Sequence, residues 1–353
     1  MNSQTQKTVV ETKNKIRANF ERAPLAERLK AKYLNSFFYK KLLSYVFRFL
    51  LLLGISYVIL YPFASKIMQS VFSPADLLQS DVLLVSKFPT LDTYKYLITE
   101  NGYLEALFNT ALLSLICAII QTFICAFIGY GFAKFKFKGN GFIFGLVLFT
   151  LLIPHKVIAS ALVQHFVNFD FLGILEATLY KWVGWETGLQ GTYAPFVLMS
   201  ATGLGFKNGL FILIFRQFYR GIPDELEEAS YVDGYGVFKT FFRILLPCSV
   251  PMLITVFVLS FSWQWTDIFY TNLFLPNSDT VLLTSNAFWS AMPVTLKEVS
   301  ETILLGNVTA TNSFTAIVMN TAGMLVVAPL IILYLFCQRY LIQGIEHSGF
   351  GGV

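Results

Sequence analysis

Residues 223–247 read PDELEEASYVDGYGVFKTFFRILLP, a polar and amphipathic segment between two long apolar stretches. Six of these residues follow the pattern E-A-x(4)-G-x(9)-I-x-L-P, namely Glu228, Ala229, Gly234, Ile244, Leu246 and Pro247. From average residue usage, such a match arises by chance about once in 10⁷ start positions. An amphipathic linker lying on a bilayer surface is the alternative interpretation, but it gives no reason for this spacing.

The local chemistry predicts two short helices joined by a glycine turn. Pro223 suits a first helical turn, and the acidic residues after it favour the positive end of the helix dipole. These acidic residues are Asp224, Glu225, Glu227 and Glu228. Asp233-Gly234 predicts a turn because Gly adopts left-handed backbone angles without steric cost. Four apolar residues then recur at i, i+3, i+4 and i+7, which predicts one apolar helix face: Phe238, Phe241, Phe242 and Leu245. Pro247 can open the next helix.

Composition indicates a membrane protein. Hydrophobic residues make up 55% of the chain and charged residues only 13%, whereas soluble domains have about 25% charged residues. Uncharged apolar runs of about 20 residues can cross a hydrocarbon core of about 30 Å. Such runs occur at residues 49–68, 107–133, 141–163, 193–215, 249–270 and 316–337. The predicted fold is therefore an all-α membrane protein with six transmembrane helices.

The distribution of positive charge predicts the orientation. Most of the 26 Lys and Arg lie before the first span, between spans two and three, or between spans four and five. Positive residues near span ends are retained in the cytoplasm, so both termini and the loop at 220–247 are predicted to be cytoplasmic. We divide the chain into a basic cytoplasmic segment, 1–42, and a transmembrane domain, 43–353. The net charge of +5 indicates contact with membrane lipid and does not require a nucleic-acid partner.

The motif resembles the EAA loop of binding-protein-dependent ABC importers, the cytoplasmic loop by which a permease grips its ATPase. From Leu107 onward the chain is also similar to the maltose-type sugar permease family. The further matches are Leu151-Leu152-Ile153-Pro154, residues 211–218, Trp265-Thr266-Asp267-Ile268-Phe269, Gln338-Arg339-Tyr340 and Gly344-Ile345. Ser230 departs from the second Ala of the family's EAA triplet, and we expect this change to adjust the fit to the ATPase.

The resemblance implies a multi-pass permease subunit of a bacterial inner membrane that moves sugars or oligosaccharides by alternating access. It implies a second permease subunit, usually in a heterodimer, two ATP-binding subunits and an extracytoplasmic sugar-binding protein. No cofactor is expected in this chain, which lacks G-x-x-x-x-G-K-[ST]; ATP and Mg²⁺ would bind the partner ATPase. The resemblance assigns ATPase coupling to Glu225, Glu227, Glu228, Ala229, Asp233, Gly234, Ile244, Leu246 and Pro247.

Polar residues within the spans predict the substrate path, because such side chains generally face a cavity or another helix. They are Gln121, Lys207, Asn208, Trp263, Gln264, Trp265, Asp267 and Asn320. Aromatic rings stack on sugars, and amides and carboxylates bind hydroxyl groups. Interfacial anchoring of the Trp residues and pairing of Asp267 with a base such as Lys207 are the alternatives. His155, Lys156 and Lys207 raise the hypothesis of an acidic oligosaccharide.

Other function classes fit the sequence less well. A membrane enzyme is disfavoured because His155, His165 and His347 are scattered, without a nucleophile or metal ligand at motif spacing. Neither a catalytic nor a metal site is therefore predicted. A non-transport scaffold would share the topology but has no need of the motif. An importer of another solute, such as peptides or phosphate, would share the loop but not the fifth-span and tail patterns.

Overall fold

The computed structural model describes residues 36–77, 79, 81–169, 188–205, 207–276, 282–284 and 312–349. In these ranges all regular structure is helical. The helices are α1 Ser36–Gln69, α2 Pro74–Leu77, α3 Asp92–Thr99, α4 Tyr103–Lys134, α5 Asn140–Phe149, α6 His155–Val167, α7 Ala194–Ala201, α8 Asn208–Gly221, α9 Glu225–Val232, α10 Val237–Thr240, a π-helical turn Phe241–Leu245, α11 Leu246–Cys248, α12 Val250–Trp265, α13 Phe269–Phe274 and α14 Asn312–Gly349. Residues 1–35 of the predicted N-terminal segment lie outside the described residues, so the domain division stays a prediction.

Three helices of the described ranges are long and apolar enough to cross a membrane: Tyr39–Gln69, Tyr103–Lys134 and Thr315–Gly344. The pair Val237–Cys248 and Val250–Trp265, bent by 79°, supplies a fourth if it counts as one span. The prediction of an all-helical chain with membrane-spanning helices is confirmed at this level. The count of six spans and the cytoplasmic termini stay predictions.

Two of the predicted spans are each divided into two helices. Residues 141–163 form α5 and α6, which are separated at Pro154. A proline lacks the backbone N–H and disfavours helical angles in the residue before it, so the helix breaks there. Residues 193–215 form α7 and α8, and the break between them contains Gly203 with a φ of +75°. Each of these two predicted spans therefore consists of two helices rather than one.

Helix α4 is the centre of the packing in the unit that runs from Lys66 to Val353. It contacts α8, α12 and α7. Its contact with α8 is close because Gly129 has no side chain, and a Cβ there would lie 2.6 Å from the Cβ of Phe215. Toward its C-terminal end, α4 contributes Cys125 and Tyr130 to an apolar cluster with Phe241 and residues of α8 and α12. This cluster joins α4 to the segment that contains the motif.

The segment between α1 and α3 is fixed by a buried carboxylate. Asp76 is 1% exposed. It accepts hydrogen bonds from Ser86 Oγ at 2.6 Å, from Lys87 N at 3.0 Å and from Phe88 N at 3.2 Å. Burial alone would raise the pKa of Asp76, but these bonds and one from Ser73 lower it to about 2. The loop is therefore organised around an ionised group.

Candidate functional site

The motif begins with α9, a short helix that has acidic residues on both its buried side and its exposed side. Three of its acidic residues lie in the first turn, Glu225, Glu227 and Glu228. Glu227 is buried, whereas Glu228 and Ala229 are exposed. The predicted helix is present, although it begins two residues after Pro223. The exposed acidic residues and Val232, which is 88% exposed, leave this side open to another protein.

The glycine turn is present, but the second helix differs from the prediction. Gly234 has a φ of +79°, and Tyr235 N donates to Ser230 O at 2.9 Å across the turn. The second helix widens into the π-helical turn at Phe241, and α12 follows Pro247 at a bend of 79°. The sequence predicts one apolar face, and the structure divides its residues into a buried and an exposed half. Phe241 and Leu245 are buried in the core, whereas Phe238 and Phe242 are exposed.

Phe241 and Leu245 are buried because, of these four residues, only they face the apolar cluster at the end of α4. The Phe241 ring stacks on Tyr130 at 5.1 Å. Phe238 instead lies against Phe127 at 6.0 Å and keeps most of its surface exposed. Of the other residues assigned to coupling, Asp233, Gly234 and Pro247 are exposed, and Ile244 and Leu246 are half-buried.

Lys134, the last residue of α4, holds α9 against the membrane domain. Its Nζ donates to Asp224 Oδ1 at 2.6 Å and to Ile222 O at 2.7 Å, and it lies 3.1 Å from Glu227 Oε1. The hydrogen bond and charge of Lys134 lower the pKa of the Asp224 carboxyl. From the sequence, Lys134 contributes only to the predicted orientation. The sequence signal that points to this contact is the i, i+3 spacing of Asp224 and Glu227, which places two carboxylates on one side of the helix.

Ser230 joins the two short helices to each other. It is 2% exposed, its hydroxyl pairs with Thr240 Oγ1 at 2.7 Å, and it donates to Glu227 O at 2.8 Å. The expectation that Ser230 adjusts the fit to the ATPase stays a prediction, and its side chain lies inside the loop. Its role in the geometry is to make α9 and α10 one body.

Three of the predicted substrate-path residues, Gln121, Asn208 and Gln264, lie at or beside a small cavity. Gln121 and Gln264 line this cavity with Ser200, Gly205 and Tyr270, and it holds about 10 Å³, which is about the room for one water molecule. Gln121 Nε2 donates to Ser200 Oγ at 3.2 Å, and Ser260 Oγ donates to Gln121 Oε1. Among the described residues, the Gln264 Nε2 and both side-chain polar atoms of Asn208 have no hydrogen-bond partner.

Gly205 permits this arrangement in the break between α7 and α8. A Cβ at Gly205 would lie 2.6 Å from Gln121 Nε2 and 3.0 Å from Asn208 Nδ2. Lys207 follows with a φ of +64° and precedes the first turn of α8. Its Nζ lies 5.8 Å from the centroid of the Trp263 ring. The predicted path residues Lys207 and Trp263 are therefore close to each other.

The other predicted path residues make contacts within the protein. Trp265 is 1% exposed and its Nε1 donates to Val326 O at 3.0 Å. Asp267 accepts from Tyr270 N at 3.2 Å and from Thr271 N at 2.9 Å, which caps α13. Asn320 Nδ2 donates to Gln69 Oε1 at 3.0 Å. A role for these residues in a substrate path stays a prediction.

The described residues also include potential metal ligands and histidines. No cluster of three or more His, Cys, Asp or Glu within them could hold a metal ion. His155 Nδ1 shares a hydrogen bond with Tyr270 Oη at 3.0 Å. Two features remain as candidates for function. One is the motif loop at the end of α4, and the other is the group of side-chain amides of Gln121, Asn208 and Gln264 near the middle of α4, which we call the amide cluster.

Comparison with known families shows to which family the chain belongs. The model of the binding-protein-dependent transport system inner membrane component matches residues 125–347, which include α9 and the whole motif. The chain belongs to this family. The predicted resemblance to permeases of binding-protein-dependent importers is confirmed, and members of the family are membrane components of transport systems.

Relatives of this family carry names of sugar transporters. The chain is 25% identical over 319 residues to the arabinooligosaccharides transport system permease protein AraQ of Halalkalibacterium halodurans, covering 89% of this chain and 100% of that protein. It is 26% identical over 256 residues to the alpha-glucoside transport system permease protein AglG of Rhizobium meliloti, covering 72% and 59%. The fold resembles a chain of a bacterial ABC transporter involved in the import of the acidic polysaccharide alginate, with a TM-score of 0.64 and 18% identity over 85% of this chain and 97% of that one.

Proposed function

We propose that this protein is the transmembrane permease subunit of an ATP-driven importer for sugars or oligosaccharides in a bacterial inner membrane. The family match across residues 125–347 carries the proposal, because it includes the motif loop and the helices α8 and α12, which contain Asn208 and Gln264. The names of the sugar-transport relatives support the substrate class. A non-sugar importer or a scaffold is the competing function.

In this proposal the loop at 220–247 docks on a separate ATPase on the cytoplasmic side. Its exposed acidic residues and the exposed rings of Phe238 and Phe242 supply a surface of mixed charge and apolar contact. Two ATP-binding subunits, a second permease and an extracytoplasmic sugar-binding protein complete the assembly. ATP and Mg²⁺ bind to the ATPase subunits, and closure of these subunits moves the loop so that the spans change their access.

The amide cluster is the proposed place where the passing sugar is recognised. Buried amides without partners lose hydrogen-bond energy, so a passing hydroxyl group that satisfies them would be stabilised. Gln264 and Asn208 supply such amides. The cavity of about 10 Å³ is too small for a sugar, so recognition requires the helices beside it to separate.

The first test is copurification of an ATPase with the tagged permease from cells that express the whole transport operon. Gly234→Val should reduce the ATPase recovered, because a β-branched residue does not adopt a φ of +79° without strain. Gly236→Val is the matched control, since Gly236 has a φ of −83° and open space around its Cβ position. Absence of any ATPase from the wild-type preparation would contradict the importer function.

The second test concerns the substrate. Proteoliposomes with the assembled transporter and its binding protein should take up labelled neutral oligosaccharides, uronic-acid oligosaccharides or both, and not a labelled peptide. Lys207→Ala should reduce uptake of the uronic-acid sugar more than that of the neutral sugar if the positive charge beside Trp263 selects acidic substrates. Unchanged selectivity in this variant would remove the acidic-sugar hypothesis, and uptake of the peptide alone would remove the sugar class.

A further inference from the structure

Besides its two covalent connections, the motif loop has two further attachments to the membrane domain: an ion pair at its start, and aromatic contacts of Phe238 and Phe241 with α4. The chain enters the loop from α8 and leaves it through the π-helical turn into α12. The ion-paired attachment is the contact between Lys134 and the start of α9, at positions 90 residues apart in the sequence. This attachment connects the loop directly to α4, the helix that packs against α7, α8 and α12.

Lys134 makes two hydrogen bonds and one further ion pair in this contact. A lysine ammonium has three N–H donors, and three oxygen atoms surround it, from Ile222 O, Asp224 Oδ1 and Glu227 Oε1. The Lys134 side chain is only 8% exposed and that of Glu227 only 9%. Removing one member of a buried ion pair leaves an uncompensated charge, which is strongly unfavourable. Glu227 and Lys134 are therefore expected to move together.

Tyr130 strengthens this attachment from the preceding turn of α4. Its Oη donates to Glu227 Oε2 at 3.3 Å, so both oxygens of the carboxylate face groups of α4. The Tyr130 ring also packs on Phe241 at 5.1 Å and on Tyr219 at 5.9 Å. The end of α4 is thus held to α9 by charge and to the second half of the loop by aromatic contact.

We propose that Lys134 is the positioning residue that transmits movement of the loop into α4, through its ion pair with Glu227. This inference rests on the proposed function, since it assumes that an ATPase moves the loop. Glu227 differs here from Glu228, which is exposed on the outer side of the same helix. Glu227 faces α4 and Glu228 faces the solvent. In this proposal Glu228 is therefore available to the ATPase, while Glu227 contacts the membrane domain.

Movement transmitted in this way reaches the amide cluster along a single helix. Gln121 and Lys134 both belong to α4, and at 1.5 Å per residue they are separated by about 20 Å along its axis. Displacement of Lys134 along or across this axis therefore displaces Gln121 against Ser200 and Ser260, its partners on α7 and α12.

The experiment compares Lys134→Met with wild type in the complete transporter, reconstituted in proteoliposomes with its ATPase and binding protein. Lys134→Met retains an apolar stem but removes the charge. We expect the ATPase to copurify and to hydrolyse ATP, while sugar uptake per ATP hydrolysed falls by about fivefold or more, the usual scale of a coupling free energy. Lys138→Met, a substitution of an exposed lysine in the following loop, should leave this ratio unchanged.

Two further variants separate transmission of movement from a simple loss of structure. Lys134→Arg keeps the charge and should restore most of the uptake per ATP. Glu227→Gln, which is nearly isosteric, should lower the ratio as Lys134→Met does, and combining the two should add little because they break the same pair. Additive effects, or a wild-type ratio in Lys134→Met, would overturn the inference. If the wild type hydrolyses no ATP and recovers no ATPase, the proposed function itself fails.

Discussion

At the scale of single residues, Asp76 is a buried carboxylate that the sequence did not single out. The hydrogen bonds from Ser86, Lys87 and Phe88 hold its pKa at about 2, against an ordinary value of 3.8. A carboxyl whose pKa is lowered on folding stabilises the protein above the pKa of the unfolded state. This stabilisation is lost as the pH falls from about 4 toward the folded-state pKa of about 2.

We therefore predict that Asp76→Asn lowers the free energy of unfolding by about 1–3 kcal/mol at neutral pH. The difference from wild type should shrink at about pH 3, where the wild-type group is being protonated in the unfolded state. Thermal unfolding of the detergent-solubilised variant and wild type, at neutral pH and at about pH 3, measures this difference in stability. Asp92→Asn provides the control, because Asp92 is exposed and its carboxylate accepts a hydrogen bond from the neighbouring Thr90. An equal effect of the Asp76 variant at both pH values would contradict the prediction.

At the scale of helices, two glycines of α4 distinguish close packing from open helix surface. A Cβ at Gly129 would lie 2.6 Å from Phe215 Cβ and 3.1 Å from Arg216 N, whereas at Gly131 no described atom beyond the adjacent residues and backbone of α4 lies within 4 Å of the Cβ position. Gly129→Ala should destabilise the protein by about 1–3 kcal/mol, because it forces α4 and α8 apart. Gly131→Ala should be neutral or stabilising by about 0.5–1 kcal/mol, because Ala favours the helix.

The measurement is the midpoint of thermal unfolding of both variants in the same detergent. Opposite shifts, or a loss for Gly129→Ala alone, support the close α4–α8 contact. Equal shifts would show that the helices relax around the added methyl group.

The comparison of helices also shows what the sequence can and cannot predict. Continuous apolar runs identified α1, α4 and α14, because length and hydropathy are local properties. The same property could not show that residues 141–163 and 193–215 each form two helices. Those breaks depend on Pro154 and Gly203, whose effect on the backbone is local but does not change hydropathy.

The candidate site likewise contains some residues that the sequence predicted and others that it did not. Gln121 and Gln264 were predicted because amides within a span are conspicuous, and they line one cavity. The ion pairs of Lys134 were not predicted, because their partners are distant in sequence and a lysine at a span end is expected for orientation alone. The burial of Phe241 and the exposure of Phe242 likewise depend on tertiary contact with Tyr130.

At the scale of the whole molecule, the predicted orientation places two exposed residues on opposite sides of the membrane. Leu83 is 77% exposed in the segment between the first two predicted spans, and Val232 is 88% exposed at the end of α9. The proposed function requires Val232 to face the cytoplasm, since ATP is available only there. The positive residues that flank the motif loop favour the same side.

A single cysteine at either position, in a background that lacks Cys117, Cys125, Cys248 and Cys337, tests this orientation. A membrane-impermeant maleimide should label Leu83→Cys in right-side-out vesicles and Val232→Cys only in inverted vesicles. Both sites are exposed, so a difference in labelling reports sidedness rather than burial. Labelling of Val232→Cys from the outside would place the motif loop away from ATP, and neither the importer function nor transmission through Lys134 could then be maintained.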